Sequence, residues 1–421
     1  MRRAGEDPVG LAARSALEGG RRGLGRVWPF LGPAFVAAVA YVDPGNFAAD
    51  MEGGARYGYL LLWVVACADL VAVLVQSMSA RLGIATGRNL AELCREAFPW
   101  PVVALLWLQA EAVAMATDLA EFVGAALALR LLFGLALLPA ALLTGAAVFG
   151  LLALQRRGVR PLEAAVSAMV GVIVLAFALQ VFLSGPEWGR AVAGLLEPGF
   201  AGPGSVLLAA GILGATVMPH AIYLHSALVQ RRVVGRTAEE RRRIYRFELL
   251  DVAVAMGLAG LVNASMLVVA AALFHPGGAA GLEGVFYGIS ALEGRWAALL
   301  FGLALLASGL SSSSVGTMSG QVVMQGFVSR SIPLFARRAL TMAPALAVIA
   351  AGVDPARALV LSQVVLSFGI PFALVPLILF CRDRALMGSL AAGRPLTAAA
   401  AAAAAAVISL NVLLLCQTLR P

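Results

Sequence analysis

The chain has 421 residues, 61% of them hydrophobic and 13% charged, with a mean hydropathy of +0.90. A single soluble core cannot hide that much apolar surface, so most of the chain is expected to sit in lipid. The net charge of +8 is accounted for by membrane topology and calls for no nucleic-acid partner.

Residues 1–28 are rich in Arg, Gly and Glu, lack an apolar signal core and read as a disordered cytoplasmic tail. Eleven apolar stretches follow, at 29–56, 58–80, 101–125, 135–155, 161–184, 204–230, 247–274, 296–328, 335–352, 357–381 and 395–419. At about 1.5 Å per residue each reaches across a bilayer, the ninth being short. Period-2 alternation is absent, and a lipid-exposed strand would strand its backbone polar groups, so the expectation is all-α. Loops are short and hold no soluble domain.

All 31 basic residues are arginine. Six lie in the tail, and the loops after spans two, four, six, eight and ten carry three, three, seven, three and three. The remaining loops and the C-terminus carry one each. The positive-inside rule then puts the N-terminus in the cytoplasm of a cell (inner) membrane protein and the C-terminus outside. Cys67, Cys94, Cys381 and Cys416 show no CxxC spacing and three lie within or at the ends of spans, which argues against a disulfide framework or thiolate metal site. The acceptor pattern Asn263-Ala264-Ser265 falls within span seven and is not a glycosylation site.

Two spans are interrupted where helix should run on. Span one carries Asp43-Pro44-Gly45-Asn46, and span six carries Met218-Pro219-His220. Each proline lacks an N–H and clashes with the carbonyl four residues back, freeing those of Ala40 and Ala215. Gly45 is expected to supply unusual backbone dihedrals at the first break. Irregular backbone at membrane depth is tolerated only when it is buried in protein or lines a cavity. Broken helices at corresponding places in two halves are the pattern of an inverted-repeat transporter. The repeats are read as 29–184, with helix one broken at 43–46, and 204–381, with helix six broken at 215–219; the helix at 395–419 stands outside them.

The breaks also bring donors. Asp43 offers carboxylate oxygens, Asn46 an amide oxygen, Ala215 a freed carbonyl and Met218 a thioether; the Ala40 carbonyl, Gln363 of span ten or water could complete a shell. An ionisable residue at the bilayer centre costs about 2.5–3.5 kcal/mol and marks function by default. Ca²⁺ and Mg²⁺ favour all-oxygen shells, whereas a thioether suits softer transition metals such as Mn²⁺, Fe²⁺, Co²⁺ or Cd²⁺.

With these residues in view, the chain resembles the Nramp family of proton-coupled divalent metal transporters, of the bacterial manganese transport type. DPGN in span one and ATVMPH in span six carry the resemblance. It extends through EAVAMATDLAEFVGAALAL in span three, LASGLSSSSVGTMSGQVVMQGF in span eight and VLSQVVLSFGIPFALVPL in span ten. The resemblance implies a LeuT-type 5+5 inverted repeat and symport of a divalent metal with protons. It implies a metal site of Asp43, Asn46, Met218 and the Ala215 carbonyl, joined by Ala40 and Gln363 in some conformations. Met218 places the chain with the manganese and iron branch.

Proton coupling needs titratable groups between the site and the cytoplasm. Asp43 itself is one, and His220 lies two residues past Met218. Span three adds Glu111, Asp118 and Glu121, of which 111 and 118 share a helix face. Arg337 and Arg338, at the start of span nine, are their expected partners, since the family uses such pairs in proton exit. His225, one turn beyond His220, reads equally as packing; His275 reads as solvated, and the run Ser311–Ser314 as a small-residue packing surface. Asp69, inside span two, has no assigned role; it is expected to face the bundle interior near Gln76 or to pair with an arginine. No resident cofactor is expected, and the chain is expected to work as a monomer. The rival readings are an amino-acid or other small-solute transporter of the same architecture, and a membrane enzyme. Asp43 would repel a substrate carboxylate, and no HExxH or catalytic domain is present.

Overall fold

In the computed structural model, which describes residues 14–16, 28–155, 159–230, 232–278, 281–330 and 332–418, every apolar stretch is helical, and no strand occurs among the described residues. Span one comprises α1 (Pro33–Val39), a 3-10 turn at Ala40–Val42 and α2 (Pro44–Tyr57). Span two is α3 (Leu62–Thr86), followed by a short helix α4 (Leu90–Ala97). Spans three, four and five are α5 (Trp100–Phe133), α6 (Leu137–Gln155) and α7 (Val159–Ser184). The short α8 (Trp188–Leu196) leads to span six, split into α9 (Pro203–Thr216) and α10 (Pro219–Gln230). Span seven is α11 (Ala238–Phe274), and the connecting helix α12 (Gly281–Leu292) precedes span eight, α13 (Arg295–Val328). Spans nine and ten are α14 (Leu334–Ala350) and α15 (Pro355–Arg382). After the one-turn α16 (Arg384–Met387) comes span eleven, α17 (Arg394–Thr418).

Among the described residues, eight helical segments are long and apolar enough by themselves to cross a membrane. The shortfall from eleven has local causes. Span one is split at Asp43, so its first piece Pro33–Val42 is short and its second piece runs on with span two as Pro44–Thr86. α14 has 17 residues and carries Arg337 and Arg338 near its start. In the other direction, α5 has 34 residues and α11 has 37. At about 1.5 Å per residue both exceed a hydrocarbon core of about 30 Å. Their apolar runs mark only the lipid crossing, while the hydrogen-bond ladder continues into polar sequence. Thr237 caps α11 by accepting the Glu240 N–H at 3.1 Å, well before the apolar run begins. Likewise Asn89 and Glu92 form a reciprocal capping box at α4. The expected disordered tail lies outside the described residues, apart from 14–16, which are helical, and Trp28 in a 3-10 turn.

Packing sorts the spans into two groups. α11 runs along α2 and α3, and α10 packs on α3, which gathers spans one, two, six and seven. α13 runs along α5 and α7, and α14 also lies on α5, which gathers three, five, eight and nine. α15 touches α5, α9 and α2 and lies between the groups, with α17 on its outer side. Span six is the axis: 94% of its apolar window is buried, against 28% for span five. Both interruptions therefore sit at the centre of the molecule.

Candidate metal centre

Asp43 is the hinge of span one. Its backbone is extended (φ −94°, ψ 169°) and it is the N-cap of α2, with Pro44 at the first helical position. Its Oδ1 accepts the Asn46 backbone N–H at 2.8 Å and the Asn46 side-chain amide at 2.9 Å. Its Oδ2 is buried with no hydrogen-bond partner among the described residues. The carbonyls opened by the break are taken up by other spans. Tyr41 O accepts from Asn46 Nδ2 at 3.1 Å and from Asn263 Nδ2 of α11 at 2.9 Å, and Val42 O accepts from Ser308 of α13 at 2.7 Å. These two carbonyls at the break are thus satisfied within the protein, as membrane depth requires.

Gly45 corrects one expectation. It lies within α2 and is not among the glycines of positive φ, so unusual dihedrals are not its reason. A Cβ there would stand 1.9 Å from Gln363 Nε2, so the glycine lets span ten close on the break. Gly124 of α5 does the same on the other side, where a Cβ would lie 2.1 Å from the Pro44 ring.

The second break lies opposite. α9 ends at Thr216, Val217 leaves helical geometry (φ −97°, ψ 74°), and α10 restarts at Pro219. The freed Ala215 carbonyl accepts Asn46 Nδ2 at 3.1 Å, and the Thr216 hydroxyl donates to Asn46 Oδ1 at 3.4 Å. Asn46 therefore joins the two breaks directly. Met218 is fully buried in the same apolar cluster as Ala40, Val42 and Phe47. Gln363 is fully buried against Gly45, its Nε2 donating to Ser362 at 3.1 Å and its Oε1 having no partner among the described residues. Of the expected ligand set, Asp43, Asn46 and Ala215 are linked by hydrogen bonds, Gln363 abuts the first break, Met218 follows the second, and Ala40 is buried in the adjoining 3-10 turn. Two buried acceptor oxygens without donors, Asp43 Oδ2 and Gln363 Oε1, are costly in isolation. A cation is the species that suits such a set.

The carboxylates of span three are reached through span nine. Arg337 pairs with Glu111 at 2.7 Å, and Trp107 Nε1 donates to the other Glu111 oxygen at 3.2 Å. Arg338, fully buried, pairs with Asp118 and also donates to the Ser313 hydroxyl. Glu121 is fully buried, and its carboxylate has no hydrogen-bond partner among the described residues. His220 lies between this row and Met218: its Nδ1 is 3.3 Å from Thr117 Oγ1 of α5, and its carbonyl accepts from Ser319 at 2.6 Å. In the serine run, Ser311, Ser312 and Ser314 bond back into their own helix, as a packing surface would, while Ser313 serves Arg338.

Several buried polar residues were not singled out from the sequence or were left without a role. His225, read there as ambiguous, contacts Gln76 at 2.8 Å and Glu248 at 3.2 Å, and Gln76 donates to the Tyr41 hydroxyl at 2.5 Å. A polar chain thus runs from the first break through α3 and α10 to α11. Asp251 Oδ2 accepts the backbone N–H groups of Gly32 and Ala34 at 3.0 and 2.9 Å, holding the start of α1. Asp50 is fully buried with neither carboxylate oxygen bonded among the described residues. Asp69 packs its carboxylate over Gly260 of α11, where a Cβ would meet it at 2.2–2.5 Å. The available signal for Asp50, Glu248 and Asp251 was simply an ionisable residue in an apolar span.

Comparison with known proteins agrees with this architecture. A family model described as Nramp, "Natural resistance-associated macrophage protein-like", matches residues 34–417. The divalent metal cation transporter MntH of Bacillus subtilis (strain 168) is 54% identical over 417 residues, 99% of this chain and 98% of its own. The manganese transporter of Eremococcus coleocola, solved with an aromatic bis-isothiourea compound, superposes with a TM-score of 0.83 at 32% identity, covering 93% of this chain and 88% of its own. MhsT, solved with L-phenylalanine, superposes at 0.61 with 16% identity over 90% of this chain and 98% of its own, a likeness of fold alone. The fold is the LeuT type with helices one and six broken, and the chain belongs to the Nramp family.

Proposed function

We propose that this chain is a proton-coupled symporter that brings divalent transition metal ions, Mn²⁺ foremost and also Fe²⁺, Co²⁺ and Cd²⁺, into the cytoplasm by alternating access. It is a transporter and not an enzyme. The observation that carries the reading is Asn46 bridging both helix breaks beside a buried Asp43 oxygen with no partner. The ion is held by Asp43, Asn46, the Ala215 carbonyl and the Met218 thioether, with Ala40 and Gln363 entering as the helices move. Softer donors suit these metals and disfavour Ca²⁺ and Mg²⁺.

A dication must displace any proton on Asp43, so metal and proton compete there. The released proton leaves past His220 and Glu121 and along the Asp118–Arg338 and Glu111–Arg337 pairs. The protein works as a monomer in the inner membrane, with the N-terminus cytoplasmic and the C-terminus outside, and residues 29–184 and 204–381 are its two inverted repeats. Moving two charges inward at about 100 mV is favourable by roughly 4.6 kcal/mol, so voltage already drives uptake. An amino-acid substrate is disfavoured because the Asp43 carboxylate would repel the substrate's own.

The test is metal flux in proteoliposomes with an internal pH dye. Asp43→Ala should abolish Mn²⁺ uptake, and unaltered flux would refute the site. Met218→Ala should keep Mn²⁺ uptake while admitting Ca²⁺ or Mg²⁺. Asp118→Asn should uncouple acidification from metal entry; normal metal-driven acidification would remove the span-three route.

A further inference from the structure

At the N-terminal end of α11 the side chains of Glu239, Arg242, Arg243, Arg246 and Phe247 line an open cavity of about 790 Å³. Arg242 and Arg246 are exposed and one helical turn apart, so their guanidinium groups face the same way. The two exposed arginines, Arg242 and Arg246, outweigh the single Glu239 in this pocket, and the adjacent helix N-terminus adds positive potential.

The same face continues toward the membrane interior as apolar surface. Leu250, Val254 and Leu261 are 48%, 49% and 65% exposed, and they lie 4, 8 and 15 residues beyond Arg246, one side of a single helix. Gly257 sits within this row, and a Cβ there would meet nothing within 4 Å, so the row contains an open notch. A cationic pocket at one end of an exposed apolar stripe matches one kind of ligand, an anionic head joined to a hydrocarbon chain.

We propose that this end of α11 is a binding site for an anionic phospholipid, its phosphate held by Arg242 and Arg246 and an acyl chain lying along Leu250, Val254 and the notch at Gly257. Bidentate guanidinium–phosphate geometry favours arginine in this role. The seat has mechanical reach. Asp251, five residues past Arg246 on the same helix, holds the backbone of Gly32 and Ala34 at the start of the first broken helix. A lipid clamped here therefore steadies the helix to which α1 is tied.

Native mass spectrometry of the full chain in detergent, with phosphatidylglycerol and phosphatidylcholine added in equal amounts, tests the site. The expected result is retention of phosphatidylglycerol over phosphatidylcholine. Arg242→Gln/Arg246→Gln should lower that preference by about 30-fold, taking about 1 kcal/mol per arginine and 1.4 kcal/mol per tenfold. Gly257→Trp should displace the lipid with every charge intact. Equal retention of both lipids by the unaltered chain overturns the proposal and needs no variant to fold. Displacement of the lipid by millimolar glycerol 3-phosphate would also overturn it, showing a plain phosphate site that makes no use of the apolar stripe.

Discussion

Asp251 and Gly32, 219 positions apart in sequence, are joined by a 3.0 Å hydrogen bond from the Gly32 backbone N–H to a carboxylate oxygen near the start of span seven. With the second bond, from Ala34 at 2.9 Å, Asp251 acts as an N-cap supplied by another helix, because Gly32 itself provides no side chain to cap α1. Bonds to a charged acceptor contribute about 1.5–3 kcal/mol each. Asp251→Ala is expected to lower the midpoint of thermal unfolding in detergent by several degrees. Asp251→Asn, which keeps an acceptor oxygen, should lower it less. Equal midpoints for all three proteins would show that α1 is held by packing alone.

The close approach of Gly45 and Gln363 makes a prediction that separates two roles for a glycine. If the glycine is there for space, Gly45→Ala should destabilise the protein and stop uptake, because the new methyl would occupy the place of the Gln363 amide. Gly45→Ala/Gln363→Ala should then recover the thermal midpoint. A glycine needed for backbone conformation would not be rescued by a change in span ten.

Arg338 and Asp118 form a buried pair between spans nine and three. Removing one partner of such a pair typically costs about 3–5 kcal/mol, because the other is left charged and alone, whereas removing both costs far less. Asp118→Asn and Arg338→Gln should each lower the thermal midpoint markedly, and the double variant should be more stable than the sum of the two losses implies. Additive losses would mean that the residues do not act as a pair.

Asp50 offers a gain of stability. Its carboxylate is fully buried with neither oxygen bonded, a costly condition for a charged or polar group. Asp50→Asn, which replaces the carboxyl group with an amide of similar shape, should raise the thermal midpoint while Mn²⁺ uptake continues. A fall in uptake together with higher stability would identify Asp50 as a group that transport needs and folding tolerates.

The sequence was most informative where residues break a rule. Asp43, Pro44 and Pro219 stand out because apolar helices exclude them, and each marks a real interruption of the backbone. The pairing of Glu111 and Asp118 with Arg337 and Arg338 was also readable, since buried charges need partners and few cations lie in the spans. What stayed hidden depends on which way a helix faces. Spans that are apolar on all sides give no stripe from which to read orientation. Nothing in the sequence therefore showed that Asp251 points to the start of α1, that His225 links Gln76 to Glu248, or that Gly45 receives Gln363 rather than bending the chain. The same holds for Ser313, which sits among three serines that bond only within their own helix.

Asn46 has a consequence for the order of events in transport. Its amide nitrogen holds Tyr41 O and Ala215 O, so the side chain is a latch fastened across the two halves of the molecule. An ion coordinated by both the Asn46 oxygen and the Ala215 oxygen cannot coexist with that latch, because the amide must turn over to present oxygen. With the proposed ligand set, arrival of cargo would unfasten this cross-link and put a metal bridge in its place, so that a weak neutral strap would give way to a strong ionic one only in the loaded carrier.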